Sequence, residues 1–245
     1  NKISPGSKLA RASSTLLPIQ SSTNFKEFIR LFLNVEVMLQ AWPLLKQGLW
    51  MTAQLCAVVI GLGLIGGLFL SFMAMAKSRW LRWPAFVVID LLRAVPPLVL
   101  LIFIYSGLPF AGLDISPFAA VAVAFFLNNS AYYSEIYRAG IQSVPTGQAE
   151  AARATGLTAG QAMAYVVLPQ AVRNVLPDLL SNTVEVVKLT SLASVVSLAE
   201  LLYSANMARS LTYNSSPLVL AALIYLAFLW PLVRLVSRYQ RKLAV

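Results

Sequence analysis

Gly147 to Pro169 reads GQAEAARATGLTAGQAMAYVVLP, the one extended polar connection in a chain that is otherwise mostly apolar. Gln148 to Ala154 are mostly good helix formers, and Pro145 suits a helix's first turn. Gly156 fits a left-handed C-terminal stop. Thr158 followed by Gln161 forms a capping box that starts a second helix, and Pro169 predicts a boundary where the chain re-enters the membrane. The stretch is therefore expected to fold as two short helices with an elbow at Gly156, either as an ordinary solvated loop or as a knob that docks a partner.

The surrounding composition sets the class. Of 245 residues, 58% are hydrophobic and 11% charged, against about 25% charged in a soluble domain. An all-α integral membrane protein with one helical bundle is expected. The net charge of +10 does not form a nucleic-acid patch, because the basic residues gather at the ends of apolar runs. With no histidine and one cysteine, a histidine-based metal site and an internal disulfide are both excluded. Cys56, inside an apolar run, reads as small apolar filler.

The chain opens on Asn1 rather than Met, as a trimmed or incomplete sequence would. Its first charged stretch leads into Ser/Thr-rich sequence, so no cleavable signal peptide is read. Residues 1–23 are expected to be a mobile tail. From Asn24, a plausible N-cap with Glu27 three residues on, an amphipathic helix is expected to run to about Ala41 along the membrane surface, ended by Pro43. Residues 1–45 thus form a tail and surface helix, and 46–245 the transmembrane part. Five spans are expected, at about 49–76, 83–108, 117–137, 174–202 and 217–236, around the elbow at 145–169. The first contains a GxxxG spacing suited to close packing. The second should kink or break at Pro96-Pro97, which remove backbone hydrogen bonds.

Lys77, Arg79 and Arg82 mark the first loop, Arg138, Arg153 and Arg173 the third, and Arg234, Arg238, Arg241 and Lys242 the C-terminal end. The positive-inside rule makes these cytoplasmic and puts the N-terminus outside. The basic tail (Lys2, Lys8, Arg11, Lys26, Arg30, Lys46) argues the other way, but short loops decide orientation better. Trp80 and Trp83 read as interface anchors.

Charges inside spans are functional candidates because each costs about 2.5–3.5 kcal/mol at the bilayer centre. They are Asp90, Arg93, Glu135, Glu185, Lys188 and Glu200, with Asn128 and Asn129 as neutral companions. Asp90 with Arg93, and Glu185 with Lys188, lie three apart on one face and either satisfy each other or line a path. A zwitterion needs both donor and acceptor groups. Lys188 or Arg93 would hold a carboxylate, and Glu135, Glu185 or Asn128 an ammonium, with Lys188 and Glu135 the first choices. Tyr132, Tyr133 and Tyr137 read as packing aromatics.

Glu150-Ala151-Ala152, Gly156, then Val166, Leu168 and Pro169 resemble the EAA loop of ABC-importer permeases. Arg93-Ala94-Val95-Pro96, Ala131-Tyr132 through Glu135-Ile136, Gly147-Gln148, Pro169-Gln170-Ala171, and Lys188 through Thr190-Ser191-Leu192 resemble elements of the polar amino-acid permease family, in order from about residue 45 onward. Ala94-Val95 stand where that family has Gly-Thr, and the tail is longer than its minimal pattern. The resemblance implies a five-span, MetI-like type I importer permease of the bacterial cytoplasmic membrane. It implies coupling helices, with Gly147, Glu150, Ala151, Ala152, Gly156, Leu168 and Pro169 contacting a separate ATPase dimer that binds ATP and magnesium. A second permease subunit, identical or related, and an external solute-binding protein are the other implied partners, with a polar amino acid as cargo. Arg93, Asn128, Glu135, Glu185, Lys188 and Ser191 are the substrate-path candidates. No cofactor and no nucleic acid are implied for this chain, and no phosphate-binding loop G-x-x-x-x-G-K-[ST] occurs in it. An ion-gradient-driven secondary transporter is the rival reading, but it would show internal repeats and interruptions in both halves. A membrane-embedded enzyme lacks the nucleophile, base or metal ligands it needs.

Overall fold

The computed structural model describes residues 21–243, all of whose regular structure is helical. The expected tail lies, apart from its last three residues, outside them. Helix α1 (Ser21–Phe32) already includes Asn24, the expected N-cap, within its helical residues. Every residue from Phe25 to Phe32 is exposed, so the apolar face has no cover among the described residues. α1 ends at Leu33–Asn34, where Asn34 caps the next helix by accepting from the Glu36 and Val37 amides. That helix, α2 (Val35–Ala74), runs for 40 residues straight through Pro43. Pro43 therefore does not end the surface helix, and the 45/46 division falls inside α2. The ring deprives only the Leu39 carbonyl of its donor, on a side of the helix where Leu39 is 70% exposed.

Helices α3 (Arg79–Ala94) and α4 (Pro97–Gly107) are the halves of the second expected span, bent by 99°. A residue before proline is pushed out of the helical region, and here two such residues follow one another. Val95 precedes Pro96 and Pro96 precedes Pro97, and both are extended, with ψ of 126° and 134°. Pro96 cannot donate to the Leu92 carbonyl four residues back. The Asn128 side-chain amide does so instead, at 2.9 Å.

Asn128 belongs to α5 (Pro117–Gln142), capped by Ser116. This 26-residue helix is the expected 117–137 span. It is not among the helices with an apolar run long enough to cross a membrane unaided. The reason is its position: α5 is the hub against which α2, α3, α4 and the later α8 pack. Asn128, Asn129, Ser130 and Ser134 are all buried. The GxxxG pair faces it. A Cβ on Gly67 would stand 2.5 Å from Tyr133 Cβ and 3.0 Å from the Ser130 carbonyl, whereas Gly61 meets open space.

After α6 (Thr146–Ala154) and the single turn α7 (Ala159–Ala162), a π turn (Met163–Val167) leads into α8 (Leu168–Leu189) and a 3₁₀ turn (Thr190–Val196). Pro169 stands in the first turn of α8, but the helical run Ala159–Val196, 38 residues long, continues through it. The wider π turn gives its ring room beside the preceding turn. The fourth expected span instead stops short of Leu202. Ser197 is left-handed (φ 58°), and Glu200 starts α9 (Leu201–Thr212). Glu200 is fully buried. It accepts from the Leu202 and Tyr203 amides at 2.8 Å each and from the Tyr225 hydroxyl at 3.3 Å. It is the cap of α9. Tyr225 lies on α10 (Ser216–Leu243), which with α9 packs on the first half of α2 around Leu45, Leu201 and Ala205.

Two stability outcomes follow from this packing. Gly67→Ala should lower stability by about 1–3 kcal/mol through overpacking, whereas Gly61→Ala should cost nothing. Equal thermal midpoints for the two purified variants would contradict the α2–α5 contact. Asn128→Ala should cost about 1–3 kcal/mol by orphaning the Leu92 carbonyl. In a Pro96→Ala background, whose amide can reach that carbonyl, the loss should shrink. A loss of the same size in both backgrounds would show that Asn128 does not stand in for the missing proline N–H.

Candidate functional site: a polar cavity at the helix break and an exposed elbow

The break between α3 and α4 opens a cavity of about 460 Å3 between the start of α4, the middle of α5 and the last turns of α8. Pro97, Asn128, Asn129, Tyr132, Asn182, Glu185, Lys188 and Ser191 contribute to its wall. Each helix presents one polar stripe. On α5 it is Asn128, Asn129 and Tyr132. On α8 it is Asn182, Glu185 and Lys188, spaced three apart so that they share a face. Glu185 and Lys188 form an ion pair, both half-exposed to the cavity side rather than locked in the core. Asn182 Nδ2 approaches Asn129 Oδ1 at 3.5 Å across the α5–α8 seam, and Asn129 Nδ2 donates to the Phe125 carbonyl at 2.9 Å. With its amide donated to Leu92, Asn128 keeps its Oδ1 as an acceptor.

Four of the six expected path residues, Asn128, Glu185, Lys188 and Ser191, thus meet in one cavity. Arg93 and Glu135 do not line it. Glu135 lies one turn further along α5, held by Arg138 through a two-pronged contact (Nη2–Oε2 2.7 Å, Nε–Oε1 3.0 Å) and by Arg93 at 3.4 Å. The expected Asp90–Arg93 pair is not formed, and among the described residues Asp90 has no ion pair. Glu135 on the neighbouring helix already draws Arg93 towards α5. Arg93 also sits 5.6 Å above the Tyr132 ring. Tyr132, read from sequence as packing, is therefore the wall between the cavity and the Arg93–Glu135–Arg138 cluster. Asn182 was legible only as the third member of the α8 polar stripe.

The second site is the elbow. Gly156 has φ 93°. Its amide donates to the Arg153 carbonyl at 3.0 Å, and the Leu157 amide to the Ala152 carbonyl at 3.4 Å, the paired bonds of a Schellman ending. Thr158 and Gln161 then form the expected capping box, with bonds of 2.9 and 3.3 Å. Gly147, Glu150, Ala151 and Gly156 are exposed on the outer side, as are Leu168 and Pro169 at the start of α8. Ala152 differs: it is 8% exposed and turned against its own chain. Behind it, Val144, Val167 and Ala171 form a small core that fixes α6 to the base of α8, where Gln170 also bonds the Val166 carbonyl at 2.9 Å.

Residues 60–245 match the family described as binding-protein-dependent transport system inner membrane component. The probable amino-acid ABC transporter permease protein YckA of Bacillus subtilis (strain 168) is 36% identical over 195 residues, which is 79% of this chain and 86% of that protein. A chain from the crystal structure of an amino acid ABC transporter with histidines superposes with a TM-score of 0.79 at 37% identity, covering 84% of this chain and 96% of that one. The MetNI methionine ABC transporter, in inward-facing conformations, shares the fold at a TM-score of 0.66 and 19% identity over 81% and 95% of the two chains. The all-α, MetI-like fold that the EAA-type motif implied is the fold observed. A helical hub threaded by a proline break, an outward elbow and a match over most of its length agree: the chain belongs to the family of binding-protein-dependent transport system inner membrane components.

Proposed function

We propose that this chain is the permease subunit of an ATP-driven ABC importer that carries a polar amino acid across the cytoplasmic membrane, with the cavity beside Pro97 as its substrate site. The observation that supports this most is the Glu185–Lys188 pair lining a cavity of about 460 Å3, within the usual ~300–1,000 Å3 of small-molecule sites. An amino acid carries the same two charges. Its carboxylate takes Lys188 and its ammonium takes Glu185 with Asn128 Oδ1, so the ligand replaces an existing pair without adding net charge. Glu135, clamped between two arginines, holds the wall rather than the cargo. The relatives named for amino-acid transport support the substrate class. Family membership favours this reading over a gradient-driven transporter.

In the proposed assembly the elbow seats in an ATPase subunit, one of a pair that binds ATP and magnesium. A second permease subunit, identical or related, closes the path, and an external solute-binding protein delivers the cargo. The elbow side and the C-terminus face the cytoplasm, and the N-terminus lies outside. Glu150, Ala151 and Gly156 make the contact, with small side chains that permit close approach. Ala152, buried against its own chain, stays behind that contact. Because Ala159–Val196 is one helical element, movement of the elbow is passed to Glu185 and Lys188 along about 40 Å of helix, and closure of the ATPase pair shifts the population between inward- and outward-facing states.

Reconstituted with its ATPase and binding protein, Lys188→Gln should raise the half-saturating substrate concentration about tenfold to a hundredfold, the effect of losing one charge-assisted hydrogen bond. ATPase assembly should be intact, and Glu185→Gln should do the same. Unchanged affinity in both variants would remove the cavity from the path. Gly156→Pro, which cannot adopt φ 93°, and Glu150→Lys should each abolish substrate-stimulated ATP hydrolysis while leaving the fold in place. Wild-type transport by either one would refute the elbow's role.

A further inference from the structure

The last turns of α10 carry an arginine ladder that the transport reading does not use. Arg234, Arg238 and Arg241 follow at i, i+4 and i+7, a spacing that stacks side chains on one face. With Leu235 and Tyr239 they line a concavity of about 520 Å3. All three are exposed, and among the described residues none has a carboxylate within ion-pair distance. Arg241 Nε donates to the Ser237 carbonyl at 3.3 Å, and the Arg234 guanidinium lies 5.6 Å above the Trp230 ring.

The position is specific. No charged residue occurs between Arg209 and Arg234. Counted from Ser216, the three arginines stand about 27, 33 and 38 Å along the helix. They straddle the ~30 Å edge of the hydrocarbon core and reach into the headgroup layer. Just below them Trp230, Leu232 and Leu235 are 58%, 42% and 56% exposed. Cations that only reported topology would need no concavity, and a soluble phosphate would need no apolar shelf beneath it.

We propose that this face of α10 binds an anionic phospholipid of the leaflet that holds the C-terminus. The phosphodiester is held by the three guanidiniums, and the glycerol and acyl chains lie on Trp230 and Leu235. Guanidinium forks suit phosphate oxygens, and basic clusters at a membrane boundary select anionic headgroups.

The test is native mass spectrometry of the full chain released from nanodiscs of equal phosphatidylglycerol and phosphatidylcholine. The wild type should retain phosphatidylglycerol in preference, and millimolar inorganic phosphate should not displace it. Arg234→Gln with Arg238→Gln and Arg241→Gln should cut retention by about fivefold or more, whereas Arg79→Gln with Arg82→Gln should leave it unchanged. Equal retention of the two lipids by the wild type, displacement by free phosphate, or full retention by the triple variant would each overturn the assignment. The first two need no variant to fold.

Discussion

Everything in the middle of this molecule depends on two consecutive peptide nitrogens that cannot donate. Pro96 and Pro97 end α3, turn the chain through 99° and leave the Leu92 carbonyl without its helical partner. In a bilayer an orphaned carbonyl is untenable, so α5 supplies a donor from Asn128. One side chain thereby closes the helix end and sets the break against the hub. The gap left between α4 and α8 is the cavity. The same asparagine that holds the scaffold together also faces the cavity, through the oxygen its structural bond leaves over.

That arrangement explains why the central helix carries so many polar groups and does not pass as an apolar span by itself. α5 is covered on several sides by other helices, so its polar groups answer to protein neighbours rather than to lipid. Tyr133 bonds Thr183 at 3.0 Å, Ser134 returns to the Ala131 carbonyl at 2.8 Å, and Glu135 collects two arginines. Glycines on α2 bring the backbone close enough to seal one flank. The charged groups divide into two sets. The Arg93–Glu135–Arg138 cluster is mutually satisfied behind Tyr132. The Glu185–Lys188 pair stays open to the cavity and so remains exchangeable.

Much of this was legible from local chemistry. The break at Pro96-Pro97, the elbow at Gly156 and the Thr158–Gln161 box were readable because proline, glycine and cap residues act within a few positions of themselves. Where the reading failed, something outside the local rule intervened, in two cases close in sequence and in two at a distance. Pro43 does not stop α2, because the carbonyl it orphans lies on an exposed side. Pro169 stands in the first turn of α8 without interrupting the helical run, because a π turn precedes it. The end of the fourth span at Ser197 carries no glycine or proline, only a buried Glu200 that caps the next helix and borrows a hydroxyl from Tyr225, 25 residues on. The pairing of Arg93 with Glu135 rather than Asp90 is likewise a contact between helices, which periodicity along one helix cannot show.

The continuity of Ala159–Val196 ties these observations together. Had Pro169 broken the chain, the elbow's second helix would be a separate piece hinged to the membrane part, and its movement would dissipate at the hinge. Instead the capping box at Thr158, the π turn and the Glu185–Lys188 pair lie on one element, and Val167 and Ala171 pack with Ala149 of α6 to fix its base. A displacement at the exposed end therefore reaches the cavity wall contributed by α8, while the opposite wall, on α5, is held by the Leu92–Asn128 bond and the arginine clamp. One wall is tied to the outer knob and the other to the scaffold. That is the geometry a gate needs if it is to be moved by a motor elsewhere.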